Sequence, residues 1–207
     1  MTDMAPTGTG ERFMHMIKAQ VRDSIATKQA LLADTALLEH IAALAQVCLK
    51  ALKAGGKIIF AGNGGSFADA QHLSAEFTSR FLFDRAPLAS VALGTNNSAI
   101  SAIGNDYGYA QVFSRELEGI AKPGDVFIAI STSGNSENIV TAVSKALTLG
   151  VATWAWTGDT GGKIKALCPC LCVPSSETAR IQESHILIGH IVCGLVEADY
   201  FGKASAT

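Results

Sequence analysis

The 207-residue chain contains few charged residues and has no excess of basic ones. Lys and Arg together number 16 and Asp and Glu 18, so charged residues make up 16% and the formal net charge is −2. Proteins that bind duplex nucleic acid normally present a basic face. This charge balance therefore argues against nucleic-acid binding as the main activity.

The chain also lacks an uninterrupted apolar run of the roughly 18–20 residues that cross a bilayer. Its first 12 residues are polar, without the basic start and apolar stretch of a secretory signal. We therefore expect a cytoplasmic protein with no membrane partner. Residues 1–10 are expected to form a flexible N-terminus.

Cysteine is scarce, with five residues in all, which is an odd number. Cys168, Cys170 and Cys172 alternate along one segment and would share one face of a strand. Metal sites prefer a C-x₂-C spacing, and neighbouring cysteines on one strand face make poor disulfides. We interpret these cysteines as small buried apolar residues of a protein in a reducing compartment.

What the sequence does have is 48% apolar residues and 20 glycines, which is typical of a compact α/β protein with many tight turns. Its length suits a single domain, which we place at 11–203. Within it, apolar residues at 11–54 recur at three- and four-residue steps, which predicts two helices with a break at Asp34 and Thr35. These helices carry enough apolar surface to form an oligomer interface, although ordinary packing on a sheet is the alternative.

Residues 55–203 alternate short apolar runs with helical patterns. The predicted strands cover 57–61, 88–93, 125–130, 151–156 and 170–173. The predicted helices cover 66–80, 97–119 with a break near Gly104, 136–149 and 179–200. Buried strands that are each followed by a helix predict one doubly wound, five-stranded parallel sheet flanked by helices.

Ligands of such sheets bind beyond the carboxyl ends of the strands, so the loops there are the candidate sites. The sequence GNGGS at 62–66 brings glycines and a helix start together, but alone it is also compatible with a plain turn. The sequence STSGNS at 131–136 places five polar side chains at a second helix start. Simple capping needs only one of them. The second loop therefore predicts an anion site, most simply for a phosphate monoester.

Two predicted helices carry side chains suited to acid–base or metal chemistry. His72 and Glu76 are four residues apart and share a helix face, and the last helix carries Gln182, His185 and His190. Gln182 and His190 are eight residues apart, or roughly 12 Å along a helix, so both reach one metal only with difficulty. A chelate through Gln182 and His185 is easier on spacing alone.

Six other residues invite simpler interpretations. We expect Trp154 and Trp156, which alternate along a strand, to lie in the core. Asp84 and Arg85 follow an apolar triplet and suggest an exposed turn, as at a subunit contact. The remaining histidines, in the leading helices, are expected to be structural or surface residues; they are His15 and His40.

Five motifs in order resemble those of the phosphoheptose isomerases, which are single SIS-domain enzymes. They are AGNGGS at 61–66, DAQH at 69–72, GNDYG at 104–108, STSGNS at 131–136, and RIQE at 180–183 followed by two histidines. The resemblance covers residues from about 20 to 203. It implies the SIS fold, a homotetramer with active sites at subunit interfaces, and one zinc ion per subunit.

The resemblance further implies conversion of sedoheptulose 7-phosphate into D-glycero-D-manno-heptose 7-phosphate through an enediol. This reaction leads to ADP-heptose for bacterial surface polysaccharide such as lipopolysaccharide. It implies Glu76 as the base and His190 as the acid, with zinc held by His72, Glu76, Gln182 and His190. Implied substrate contacts are Asn63, Gly64, Gly65, Ser66, Glu76, Asn105, Asp106, Ser131, Thr132, Ser133, Ser136 and Gln182.

The chain departs from the family pattern at two positions. Asn96 stands where relatives commonly carry Asp, and Ala179 where they often carry Asp or Pro. The missing carboxylate at Asn96 bears on the choice of sugar. An alternative function is a non-catalytic tetrameric SIS scaffold that binds a replication-initiation protein, but retention of the acid–base residues favours the enzyme.

Overall fold

The computed structural model describes residues 8–202. The first helix, α1, covers Thr9–Ala33, so it begins before residue 11, and residues 1–7 of the expected flexible N-terminus lie outside the described range. Helix α2 covers Thr35–Lys53. The predicted break between them is confirmed, because Asp34 caps α2 by accepting the N–H of Leu37 at 3.0 Å.

Five parallel strands form the sheet, as predicted. They are β1 (Ile58–Gly62), β2 (Ser90–Ala92), β3 (Val126–Ile130), β4 (Ala152–Thr157) and β5 (Cys170–Cys172). Their order is β2-β1-β3-β4-β5. From β1 the chain continues to β2 on one side, and from β3 it continues to β4 on the other side. The loops after β1 and β3 therefore lead in opposite directions, and ligands of doubly wound sheets bind between such loops.

Five further helices follow the sheet strands in the chain. They are α3 (Gly65–Thr78), α4 (Asn97–Tyr107), α5 (Val112–Ile120), α6 (Glu137–Thr148) and α7 (Thr178–Phe201). The expected break near Gly104 is wrong, since α4 runs through this residue. The chain breaks instead at Gly108, whose φ of +86° a residue with a side chain rarely adopts.

The two faces of the sheet bury separate apolar clusters because successive strand residues point to opposite sides. Ile58 and Phe60 pack with α2, α3 and α7, whereas Ile59 packs with α5 and α6. Both tryptophans are buried as expected. The side chains therefore agree with a doubly wound sheet that has helices on both faces.

Helix α2 is, among residues 8–202, the one helix long and apolar enough to cross a membrane by length and composition. Core helices of globular proteins pass the same test. Leu44 and Cys48 of α2 are fully buried, within the cluster that covers the sheet. Packing inside the protein thus accounts for the apolar residues on the buried face of α2.

Helix α1 differs from α2 because one of its faces is apolar and uncovered. Phe13, Ile17, Val21 and Ile25 are each more than half exposed, and they recur every four residues along the helix. This is the apolar surplus that the sequence indicated in the leading helices.

The prediction of an exposed turn at Asp84 and Arg85 is wrong for the arginine. The Arg85 side chain is 3% exposed and forms an ion pair with Glu197 of α7 at 2.8 Å. Within residues 8–202 the five cysteines are unpaired. Cys48, Cys168 and Cys193 are buried, as interpreted, whereas Cys170 and Cys172 are only partly buried.

Candidate active site

The loops after β1 and β3 lie side by side at the carboxyl edge of the sheet. Gly62 is paired with Ile130 at the ends of the two strands. Beyond them, the side-chain amides of Asn63 and Asn138 exchange two hydrogen bonds, each 2.9 Å long. The two loops that the sequence singled out therefore form one continuous surface.

The β3–α6 loop has the form of an anion site. Ser136 precedes the first residue of α6, but its side chain makes no capping hydrogen bond within the described chain. Its Oγ instead lies 3.3 Å from Ser131 Oγ, and Ser133 is exposed. The hydroxyl groups thus gather at the positive end of a 12-residue helix, and the capping interpretation of Ser136 is not what the structure shows.

Gly134 allows this loop to close against its neighbour. Its φ is +63°, and a Cβ on it would overlap the carbonyl oxygen of Gly161 in the loop after β4. Thr132 also accepts a backbone hydrogen bond of 2.9 Å from Gly158 in that same loop. The polar groups at 131–136 are therefore held on a braced backbone.

Helix α3 begins in the β1 loop with Gly64 at a φ of +56° and the buried Ser66. Further along α3, His72 Nε2 lies 3.2 Å from Glu76 Oε1, as the four-residue spacing predicts. His190 reaches the same place from α7, with its Nε2 2.9 Å from that of His72. The structure thus brings together the proposed base and acid.

Among residues 8–202, His72, Glu76 and His190 are the group of His, Cys, Asp or Glu side chains whose ligand atoms lie within 4.8 Å of one another. Two imidazoles and a carboxylate are ligands that zinc uses in catalytic sites, where a fourth position is left to water or substrate. These residues therefore fit a zinc ion by ligand type, number and separation.

The fourth expected ligand, Gln182, reaches α3 from α7 on the helix face that also carries His72. Its amide lies against the first residue of α3, where a Cβ on Gly65 would be 2.5 Å from Gln182 Nε2. Gly65 precedes His72 by seven residues, or about 10 Å along a helix. Gln182 therefore lies near the loops, in a position to contact a ligand bound there.

The alternative chelate through Gln182 and His185 is wrong. His185 is fully buried, its Nε2 lies 3.1 Å from the carbonyl oxygen of Thr157, and its ring packs beside Trp156. Burial lowers the pKa of His185 to about 4, even though the hydrogen bond to Thr157 acts in the opposite direction. His185 is a neutral core residue.

The two expected substrate contacts on α4 lie on the protein surface. Asn105 and Asp106 are exposed and hydrogen-bonded to each other at 2.8 Å. Near the start of the same helix, Asn96 accepts the N–H of Ala99 at 3.2 Å and so caps α4. The residue that departs from the family pattern thus has a structural role that Asp would also fill.

Three residues near the loops or the His–Glu group escaped the sequence reasoning. Tyr109 donates its hydroxyl to Asn63 Oδ1 at 3.2 Å, and Phe81 stacks on the His190 ring with centroids 5.4 Å apart. Asp69 Oδ2 is buried without a hydrogen-bond partner among residues 8–202, and burial raises its pKa to about 6 against a lowering effect of His72. Of these three, only Asp69 could have been placed near the His–Glu group from the sequence, because it lies about one helical turn before His72.

Comparison with known proteins gives a consistent result. Residues 22–158 match the family described as the SIS domain. The chain is 53% identical to the phosphoheptose isomerase of Aneurinibacillus thermoaerophilus over 186 residues, which is 89% of this chain and 94% of the relative. It is 47% identical to that of Clostridium acetobutylicum over 190 residues, covering 91% and 97% of the two chains.

Solved structures of similar proteins agree. The phosphoheptose isomerase of Neisseria gonorrhoeae superposes with a TM-score of 0.84 at 42% identity, covering 90% of this chain and 99% of that one. The enzyme of Francisella tularensis gives 0.85 at 34%, covering 89% and 97%. The chain therefore belongs to the SIS-domain family and, within it, to the phosphoheptose isomerases.

Proposed function

We propose that this protein isomerises sedoheptulose 7-phosphate to D-glycero-D-manno-heptose 7-phosphate, as a step toward ADP-heptose for surface polysaccharide such as lipopolysaccharide. The observation that carries the proposal is the pairing of an anion loop at 131–136 with the His72, Glu76 and His190 group in one chain. The relatives named above, at 47–53% identity over nearly the whole chain, support the substrate.

The loops bind the phosphate end of the substrate. Ser131, Thr132, Ser133 and Ser136 offer hydroxyl groups, and the start of α6 offers unpaired N–H groups, which suits a dianionic ester. Ser66 and the glycines at 64 and 65 allow the substrate to approach the start of α3. Asn63 and Gln182, whose amides lie at these loops, contact the sugar hydroxyls in this proposal.

The His–Glu group lies further along α3, and the reactive end of the sugar extends toward it. His72 follows Ser66 by six residues, or about 9 Å of helix, which is a separation that an extended sugar phosphate bridges. A six-residue offset between phosphate and proton-transfer groups therefore favours a substrate whose carbonyl is several carbons from its phosphate.

Isomerisation moves a proton between C1 and C2 through an enediol and requires a base and an acid. The Glu76 carboxylate removes the C1 proton of the ketose and returns a proton at C2. The His190 imidazole exchanges protons with the oxygens of C1 and C2. The fixed positions of both groups on packed helices keep them aligned with the substrate.

We propose that His72, Glu76 and His190 also hold a zinc ion, in a site that leaves a position for substrate. A bound zinc ion supplies Lewis-acid polarisation of the carbonyl and stabilises negative charge on its oxygen. Gln182 is the fourth ligand implied by the resemblance, and we propose it both as a zinc ligand and as a substrate contact, because its amide lies against the start of α3.

We further propose a homotetramer that works in the cytoplasm. The exposed apolar face of α1 supports association between subunits, and the free cysteines support a reducing compartment. Asn105 and Asp106 are exposed on α4, and we propose that they contact substrate at a site that a neighbouring subunit helps to form. The non-catalytic scaffold is not favoured, because the acid–base residues and the names of the relatives point to the enzyme.

The test is turnover of sedoheptulose 7-phosphate by the purified protein, with formation of the aldose followed by NMR. We expect turnover that a chelator reduces at least about tenfold and that added zinc restores. Sedoheptulose without its phosphate is the matched control, and it should react far more slowly because the loop at 131–136 then binds nothing. Folded, zinc-loaded protein that leaves the phosphate ester unchanged would contradict the proposed function.

A further inference from the structure

The connection between α3 and β2 is fastened to a buried carboxylate on α7. Glu197 is 1% exposed, and its two oxygens accept the N–H groups of Phe81 at 2.9 Å and of Leu82 at 2.7 Å. It also accepts Arg85 Nε at 2.8 Å. A buried carboxylate that accepts three hydrogen bonds connects these elements rigidly, and we call the Arg85–Glu197 ion pair with these contacts the joint.

The same arginine closes the end of α3. Its terminal nitrogens donate to the carbonyl oxygens of Glu76 at 2.7 Å, Phe77 at 2.6 Å and Ser79 at 2.9 Å, and to that of Ala86 at 3.1 Å. The last carbonyls of a helix have no partner within the helix. Arg85 supplies partners where the helix itself cannot.

The ion pair persists at neutral pH. Burial alone would raise the pKa of Glu197, but the N–H groups of Leu82 and Phe81 and the Arg85 guanidinium outweigh it and lower the pKa. The carboxylate is therefore ionised, and Arg85 is its charged partner.

The Arg85–Glu197 ion pair is connected to both helices that supply the His–Glu group. Arg85 holds the backbone of Glu76, the proposed base, directly at its carbonyl oxygen. Glu197 holds the backbone of Phe81, whose ring stacks on His190, the proposed acid, with an interplanar angle of 18°. One ion pair thus connects two residues that reach the site from different helices.

We propose that Arg85 and Glu197 are positioning residues for the isomerisation, which fix the Glu76 carboxylate relative to the His190 imidazole. This inference rests on the proposed function for its catalytic part. Neither residue touches the reacting atoms, so each acts through the end of α3 and through Phe81. Small misplacements of reacting groups cost large factors in rate, up to about 10² for 1 Å.

The test is Arg85→Lys, assayed in the full-length, zinc-loaded protein. Lysine keeps the charge but presents one compact ammonium in place of the planar fork, so it does not serve Glu197 and the helix end together. We expect kcat to fall about 10- to 100-fold and zinc affinity, measured by chelator competition, to fall by a similar factor. The KM should change less than about threefold, because the phosphate loops lie at the other end of α3.

Lys57→Met is the matched control, because it removes the charged partner of another buried carboxylate, at the opposite end of the strands. Asp125 is fully buried and pairs with Lys57 Nζ at 2.5 Å, and it keeps the N–H groups of Lys57 and Lys122 after the substitution. This variant should lower the thermal midpoint but leave kcat and zinc affinity unchanged. All variants are compared at a temperature at which circular dichroism shows them fully folded.

Wild-type kcat and zinc affinity in Arg85→Lys, or losses no larger than those of Lys57→Met, would overturn the proposal. If Arg85→Lys does not fold, Glu197→Gln decides, since glutamine keeps one acceptor oxygen for the N–H of Phe81 or Leu82 but loses the charge and the second acceptor. Its zinc affinity should fall at least about threefold, and an unchanged value overturns the proposal. Absence of turnover in the wild type would contradict the proposed function alone. The zinc affinities of the variants would still test whether Arg85 and Glu197 position the His–Glu group.

Discussion

Two histidines on α7, His185 and His190, have opposite surroundings, although they are only five positions apart in the sequence. His190 is half-buried beside His72 and under the Phe81 ring, whereas His185 faces the sheet and is fully buried between β4 and the helix. Its Nε2 hydrogen-bonds to Thr157, and its Nδ1 has no partner within residues 8–202. The first arrangement suits proton exchange with a ligand, and the second suits a permanently neutral ring.

His185 should make the protein less stable in mild acid. Between pH 6.5 and pH 4 the unfolded chain binds a proton at this histidine and the folded chain does not. The free energy of unfolding therefore falls as the pH drops through this window, by about 3 kcal/mol at most. Urea unfolding at pH 7 and pH 5, with zinc removed by a chelator, measures the effect.

His185→Gln isolates this contribution, because the glutamine amide can still donate to Thr157. We expect the variant to be less stable than the wild type at pH 7. From pH 7 to pH 5 it should lose about 2 kcal/mol less than the wild type does. Equal losses in the two proteins would show that His185 is not the group that titrates.

At the scale of single residues the sequence predicted the site unevenly. The four-residue spacing was enough to predict that His72 and Glu76 meet, because both lie on one helix. The placement of Gln182 and His185 depends on the rotation of α7 against α3 and the sheet, which local spacing does not determine. The buried Arg85 was missed because its partner, Glu197, is 112 residues away in the chain.

Helices α3 and α7 run alongside each other in register, and glycines allow their close approach. Gly65 lies under Gln182 near the start of both helices, and a Cβ on Gly189 would overlap the Leu73 side chain further along. His190 directly follows Gly189. The contact that brings the helices together is thus adjacent to the residue that must meet His72 and Glu76.

Gly189→Ala should separate the two helices. The added methyl group meets the buried Leu73, and overpacking of this kind costs about 1–3 kcal/mol. We expect a lower thermal midpoint and a lower kcat, because His190 moves with the helix. Thermal unfolding and steady-state kinetics on the same preparation measure the two effects.

Gly194→Ala is the control on the same helix. Its Cβ would lie 3.4 Å from the Phe81 ring, which is an ordinary contact, and alanine favours a helix by up to about 1 kcal/mol over glycine. Its thermal midpoint should equal or exceed that of the wild type. A similar loss of stability in both variants would contradict the account of the α3–α7 contact.

At the scale of elements the sequence was a better guide. Each apolar run followed by a helical pattern became a parallel strand, because a strand buried on both faces needs apolar residues throughout. The exception was Gly104, since a helix tolerates an interior glycine at a cost of about 1 kcal/mol. Helix α4 ends instead at Gly108, which has a positive φ. Nothing in the sequence distinguishes this glycine from the other glycines, so its conformation could not be predicted.

At the scale of the whole molecule, the sheet is covered by helices, whereas helix α1 leaves one apolar face uncovered. The sheet is covered on both faces, yet α1 leaves Phe13, Ile17, Val21 and Ile25 exposed. Contiguous apolar surface of this kind marks an interaction site, which supports the proposed tetramer. The sequence indicated the surplus of apolar residues, but only the packing of α2 and α7 determines which face of α1 is left uncovered.

The proposed function requires a phosphate site and an acid–base pair, formed by Glu76 and His190, in the same protein. Its most direct test is the rate of sedoheptulose 7-phosphate isomerisation in Glu76→Gln and His190→Gln, with Glu39→Gln, at an exposed position of α2, as the control. We predict that kcat/KM falls at least about 10²-fold in each of the first two variants, a typical loss for a general base or acid, and is unchanged in the control. Wild-type rates in both Glu76→Gln and His190→Gln would contradict the account.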